Sequence, residues 1–183
     1  MATKLIRTVL LLLVLEVCMS TMTQAADSLA VGAKAPDFSL SYATRDSIAS
    51  DPLTLSKEIG KGPIVLAFYP ADWSGGCTNE VCTFRDSFDQ LAKLHARIWA
   101  ISGDYVYSHF EWAKHHNLPF ELLADHDHAV AKLYNTYNPE TQMNKRSIFV
   151  IGSDGRLAYI NPAFRARETA DYDALKAALA TVK

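Results

Sequence analysis

The chain predicts an α/β fold: a central mixed β-sheet flanked by helices, preceded by an N-terminal extension. Three observations carry this reading. A continuous apolar run at 64–69 reads as a central strand covered on both faces, and 97–102 reads as a second central strand. Between them the hydrophobic period changes, and Val81, Phe84, Phe88 and Leu91 share one helical face. Late runs at 147–151 and 157–160 flank Gly152-Ser153-Asp154-Gly155, a hairpin signal that adds an antiparallel edge.

The elements follow in order. Pro36 and Asp37 lead into a short strand at Phe38-Ser39-Leu40, and Asp51-Pro52 turns the chain into another at Leu53-Thr54-Leu55. Gly60-Lys61-Gly62-Pro63 is a turn that delivers the strand at 64–69. The amphipathic helix starts at Cys77 and leads to the strand at 97–102. Residues 108–117 read as a helix with Phe110 and Trp112 apolar, ended by Pro119. A short strand at 120–123 follows, and Asp125 or Asp127 caps a helix over 128–137. After the hairpin, Tyr172, Leu175, Leu179 and Val182 mark a last amphipathic helix. Early βαβ crossovers pair strands in parallel. The order β-α-β-α-β-α-β-β-α resembles a thioredoxin-like domain with an N-terminal extension and an inserted helix.

The chain has 183 residues, 49% of them hydrophobic, which suits one domain with a sizeable core. A formal charge of −2 gives no electrostatic reason to expect nucleic acid or an anionic membrane as partner. Residues 1–25 read as a secretory signal peptide, with the domain at 26–183. Lys4 and Arg7 form the basic start, 9–17 is apolar apart from Glu16, and Thr23-Gln24-Ala25 supplies small residues for cleavage before Ala26. The apolar stretch is short of the roughly 20 residues of a membrane anchor. Glu16 and Val17 stand where a lipoprotein site at Cys18 wants small residues. The expected product is an exported, periplasmic protein with no stable membrane insertion. Cleavage removes Lys4, Arg7, Glu16 and Cys18, leaving a formal charge of −3 and two cysteines, Cys77 and Cys82.

That pair carries the chemistry. A thiol at a helix start faces free backbone N–H groups and the positive end of the macrodipole, and both favour the reactive thiolate. An exported protein with one close cysteine pair also invites a structural disulfide. The spacing argues against a permanent brace. Five residues along a helix rise about 7.5 Å and turn about 500°. The Cα atoms are then ~8.6 Å apart, beyond the ~7 Å that a disulfide spans. The bond closes only if the helix start unwinds, which suits a reversible redox pair.

Pro70, Ser74 and Cys77 fit Pro-x-x-x-Thr/Ser-x-x-Cys, the motif ahead of the active-site helix in peroxiredoxins. Cys82 five residues later, Cys-Thr-x-Glu at 77–80 and Phe84-Arg85-Asp86 resemble the peroxiredoxin Q, or bacterioferritin-comigratory-protein, branch of the alkyl hydroperoxide reductase/thiol-specific antioxidant family. Arg146-Ser147-Ile148-Phe149-Val150-Ile151 is similar to the family's distant arginine and its strand. The resemblance spans roughly 31–183. Two positions depart from the branch: Ser74 stands where Thr is commoner, and Gly75-Gly76 where Pro-Gly is usual, which implies a looser loop.

The resemblance implies a thiol peroxidase, without a bound cofactor or metal, that reduces hydrogen peroxide and organic hydroperoxides. Cys77 would be the nucleophile. Arg146 would support the thiolate and the charge that develops as the O–O bond breaks. Ser74 Oγ and the Cys77 N–H would hold the peroxide oxygens, and Pro70 would fix the loop and shield the thiolate. The sulfenic acid on Cys77 would condense with Cys82 to a disulfide. A thioredoxin-like or other dithiol donor would restore it, on a monomer or weak homodimer. Glu80 reads either as a first-turn acid favoured by the dipole or as an orienter of the arginine.

Other signals are weaker. Asp125-His126-Asp127-His128 and His115-His116 match no established metal-ligand spacing, and capping explains the aspartates more simply. Trp73 either lines a pocket or packs, and Trp112 reads as core. A rival reading is an exported thiol–disulfide oxidoreductase acting on protein cysteines. Such proteins carry Cys-x-x-Cys and a proline before the facing strand, where this chain has neither. Another rival is a redox-sensing module that reports oxidation to a partner.

Overall fold

The computed structural model describes residues 29–182, and the expected signal peptide at 1–25, with Cys18, lies outside the described residues. Nine strands and six helices are found along them. Strand β1 (Ser39–Ala43) and β2 (Leu53–Thr54) precede the short helix α1 (Leu55–Glu58). Then follow β3 (Ile64–Phe68), α2 (Gly75–Asp86), α3 (Phe88–Ala92), β4 (Arg97–Ser102), α4 (Val106–His116), β5 (Glu121–Ala124) and α5 (Ala129–Leu133). The chain closes with β6 (Tyr137–Asn138), β7 (Met143–Asn144), β8 (Ser147–Ile151), β9 (Leu157–Asn161) and α6 (Thr169–Leu179).

Seven strands form one sheet in the order β2-β1-β5-β4-β3-β8-β9. Strands β3, β4 and β5 are parallel, while β8 and β9 add antiparallel pairs on one side and β1 and β2 on the other. The expected mixed sheet is therefore present, with parallel strands at its centre. Alternation along β3 sends Val65 and Ala67 to one face and Ile64, Leu66 and Phe68 to the other. The first face is covered by Val81 and Phe84 of α2, Trp112 of α4, and Tyr172, Leu175 and Leu179 of α6. The second is covered by Leu55 of α1, Val130 and Ala131 of α5, and Phe38 and Tyr134. Both faces are dry, which explains why β3 reads as an unbroken apolar run.

Several boundaries differ from the sequence expectation, and α2 starts at Gly75 rather than at Cys77. The helix expected to carry both Phe84 and Phe88 is interrupted at Ser87, where φ −96° and ψ 1° leave the helical region. Asp and Ser are weak helix formers, so the helix is least favoured at Asp86-Ser87. The helix expected over 128–137 stops four residues early. Asn135 adopts a left-handed conformation at φ 55°, and the Thr136 N–H returns to the Ala131 carbonyl, a common helix ending. Tyr137 then pairs with Asn144 in a small separate hairpin. Finally, Leu55 begins a helix rather than ending a strand.

Candidate active site

The site forms where β3 hands over to α2. Ser74 is the N-cap of α2, so Cys77 is its third helical residue and lies in the first turn. The Ser74 side chain makes no cap bond, and its Oγ instead donates to the Ala71 carbonyl at 3.2 Å. The orphan N–H groups of the first turn are thus not used up by their own N-cap. Cys77 is 0% exposed and belongs to the core cluster on that face of the sheet.

Sheet register delivers the arginine. Strand β8 runs antiparallel to β3 with Phe68 opposite Ser147. The residue that follows β3 and the residue that precedes β8, Tyr69 and Arg146, therefore meet at the same end of the sheet. From there Arg146 Nη2 donates to Cys77 Sγ at 3.3 Å, and Nη1 donates to Glu80 Oε2. Glu80 reaches the same guanidinium because residues three apart share a helix face. Of the two readings of Glu80, the geometry supports the orienter.

Glu80 is 1% exposed, and its Oε1 has no partner among the described residues. Burial pushes its carboxyl up to about 7 against the opposing pull of Arg146. Burial disfavours the Arg146 charge too, but Glu80 and Cys77 outweigh it and hold the guanidinium above its ordinary range. Arg146 is thus a fixed cation beside the thiol.

The intervening loop is held by polar groups that sequence reasoning did not single out. Asp72 is buried and accepts from Tyr69 Oη at 2.7 Å, from Ser108 Oγ at 2.7 Å, and lies 2.9 Å from His109 Nδ1. His109 Nε2 reaches the Leu123 carbonyl at 3.1 Å. The Asp72 N–H donates to Asp104 Oδ2 at 2.8 Å, and Asp104 also accepts from Ser102 Oγ at 2.7 Å. The loop is therefore tied to α4, β4 and β5. The one visible signal is an acid between an apolar strand and a helix; most of its partners lie more than 30 positions away and share no local pattern. Pro70 is half-buried at the start of this loop. Trp73 is held at φ 60°, a conformation unusual for a bulky residue, with its Nε1 3.3 Å from Ser108 Oγ. It is 52% exposed, so it borders the site rather than filling the core, while Trp112 is fully buried.

Cys82 is half-buried, further along α2, and both thiols are free. Its Sγ lies 3.9 Å from His116 Nδ1. The structure thus brings Cys77 and Arg146 into contact, with Ser74 at the N-cap of the same helix and Pro70 in the loop that leads to it, and leaves Cys82 further along that helix. Among the described residues no group of three or more His, Cys, Asp or Glu is placed to hold a metal ion. Asp125 instead caps α5, accepting from the Val130 and Ala131 N–H groups at 3.0 and 2.7 Å, while Asp127 accepts from Ala129 at 3.0 Å.

Comparison with known proteins gives a consistent picture. The AhpC/TSA family matches residues 31–160. Peroxiredoxin Bcp of Bacillus subtilis is 38% identical over 133 residues, covering 69% of this chain and 81% of the relative. The crystal structure of peroxidoxin BcpB from Mycobacterium tuberculosis superposes with a TM-score of 0.73 at 29% identity, covering 85% of this chain and 99% of that one. A peroxiredoxin Q structure from Xanthomonas campestris gives 0.68 at 27% identity, covering 80% and 92%.

Proposed function

Given that the chain belongs to the AhpC/TSA family, as a peroxiredoxin of the Bcp and peroxiredoxin Q kind, we propose that it reduces hydrogen peroxide and organic hydroperoxides through a Cys77 sulfenic acid and a Cys77–Cys82 disulfide. The observation that carries this reading is the Cys77 sulfur in the first turn of α2, 3.3 Å from Arg146 Nη2. The Cys77 thiolate attacks one peroxide oxygen, the O–O bond breaks, and the second oxygen leaves with the bonding pair and takes a proton as water or alcohol. Free N–H groups of the helix start and the guanidinium oppose the charge on that leaving oxygen. Cys82 then attacks the Cys77 sulfur, displaces the hydroxyl as water and forms the disulfide. An external dithiol of the thioredoxin type supplies two electrons and two protons to restore both thiols.

Burial of Cys77 favours this over exchange with protein cysteines. A sulfur enclosed in the core is a poor target for a folded protein's disulfide, which is far bulkier than a peroxide. The basic and apolar N-terminal stretch supports export to a periplasm, with the reductant drawn from that compartment. N-terminal sequencing of the protein from cell fractions tests export: an intact Met1 in the cytoplasm overturns it.

Single-turnover peroxide reduction tests the chemistry. Cys77→Ser abolishes it, because an alcohol at its ordinary pKa is no nucleophile here. Cys82→Ser reduces one equivalent of peroxide and stops at the sulfenic acid. Equal, complete loss of the first turnover in both variants would refute these roles.

A further inference from the structure

We propose that His116 is the acid–base partner of Cys82 in the step that closes the disulfide; the inference rests on the reading of Cys82 as the resolving thiol. Cys82 lies beyond the first turn of α2, where the helix N-terminus that favours a thiolate at Cys77 no longer acts. Its activation must come from a side chain. His116, the last residue of α4, places Nδ1 3.9 Å from Cys82 Sγ, a long contact across two helices.

That contact is held from both sides. Arg85, three residues after Cys82 on α2, donates from Nη1 to the His116 carbonyl at 2.9 Å. The His116 ring packs edge-on against Trp112 at 5.9 Å and lies tilted against Trp73 at 6.3 Å. The titratable and charged groups that face the ring are Cys82 and Arg85 from α2 and His115 from its own helix, 4.7 Å away. Asp86 is engaged with Arg85 Nε at 2.9 Å. Burial, then His115 and Arg85, hold His116 below the usual histidine range, so the ring is neutral near pH 7 and able to take a proton.

The step balances. The Cys82 proton passes to His116 Nδ1, and the thiolate attacks the sulfur of the Cys77 sulfenic acid. The S–S bond forms as the S–O bond breaks, and the departing hydroxide is neutralised by the proton that His116 releases to solvent. One sulfenic acid and one thiol give one disulfide and one water.

The test is stopped-flow tryptophan fluorescence of the reduced full chain mixed with hydrogen peroxide across pH 5.5–8.5, in wild type, His116→Gln and Cys82→Ser. The first, peroxide-dependent phase is expected to match wild type in His116→Gln. The second, peroxide-independent phase is expected to slow about 10-fold or more at pH 7 and to lose the inflection contributed by the ring, the scale of one general base. Slower closure leaves the sulfenic acid exposed longer, so Cys77 sulfinic acid, detected as added oxygen by mass, accumulates at lower peroxide. An unchanged second phase, or equal slowing of both phases, overturns the role of His116. A second phase that persists in Cys82→Ser overturns instead the reading of Cys82 on which it stands.

Discussion

Arg146 reaches two partners from one guanidinium. It is held in place by Glu80 and turned toward the Cys77 sulfur. Its replacement by Met keeps much of the length and removes the charge. Arg146→Met is expected to lower the second-order rate with peroxide by at least ~100-fold, the scale of losing one preorganised donor. Stopped-flow mixing measures this, and an unchanged rate would mean that the contact is incidental. Glu80 makes a different prediction. Its folded carboxyl titrates near 7, above its ordinary value of 4.5, because it is buried. Between those two values the folded state keeps a proton that the unfolded state has lost. Stability therefore falls as pH rises through that window and levels off above it. Glu80→Gln carries no such proton. The stability of wild type relative to this variant should drop by about 1–3 kcal/mol between pH 4.5 and 7.5. Urea unfolding at the two pH values checks the sign; a rise instead would mean that Arg146 keeps the carboxylate ionised throughout.

Helix α2 holds both thiols on a regular scaffold that forbids their bond. The ideal spacing of ~8.6 Å between Cα atoms exceeds what a disulfide reaches. Oxidation must then unwind part of the helix, and Gly75-Gly76 at its start offer little resistance. Amides from Cys77 to about Phe84 should exchange hydrogen faster in the disulfide form than in the dithiol form. Hydrogen exchange on both forms tests this, with non-reducing mass analysis to show an intramolecular bond. Equal protection, or a disulfide-linked dimer as the main product, would remove Cys82 from its assigned part. The neighbouring loop is held differently. Asp72 anchors it to Tyr69, Ser108 and His109, so the loop should keep its protection while the helix start beside it unwinds.

At the scale of the molecule, two dry layers sandwich one sheet, and the segment that leads into β1 belongs to one of them. Phe38 packs edge-on against Trp99 at 6.2 Å and against Tyr134 at 5.9 Å. Tyr134 and Phe149 continue the cluster at 5.2 Å. Strand β1 also covers the outer edge of β5, which would otherwise be open for pairing with other chains. Phe38→Ala should therefore cost about 3–5 kcal/mol, the range for emptying a buried aromatic site. Urea unfolding followed by fluorescence would show it, and a loss below about 1 kcal/mol would mean that the segment is only peripheral.

Local chemistry is legible in the amino-acid sequence itself. The apolar run of β3, the helical face of Val81 and Phe84, the hairpin at Gly152–Gly155 and the motif at Pro70, Ser74 and Cys77 all depend on neighbours within a few residues. Periodicity and turn chemistry act over that range. The break at Ser87 and the early end of α5 are less legible, since a helix boundary is decided by small local differences that packing tips. Long-range pairings lie beyond pattern. That Arg146 bonds Glu80 as well as Cys77, that His109 holds Asp72, and that His116 stands against Cys82 follow from strand register and helix docking across 30 to 70 positions. The residue types set what chemistry the chain could do. Only the assembled sheet and its docked helices, by fixing strand register and helix contacts, decided which distant side chains stand beside the two thiols.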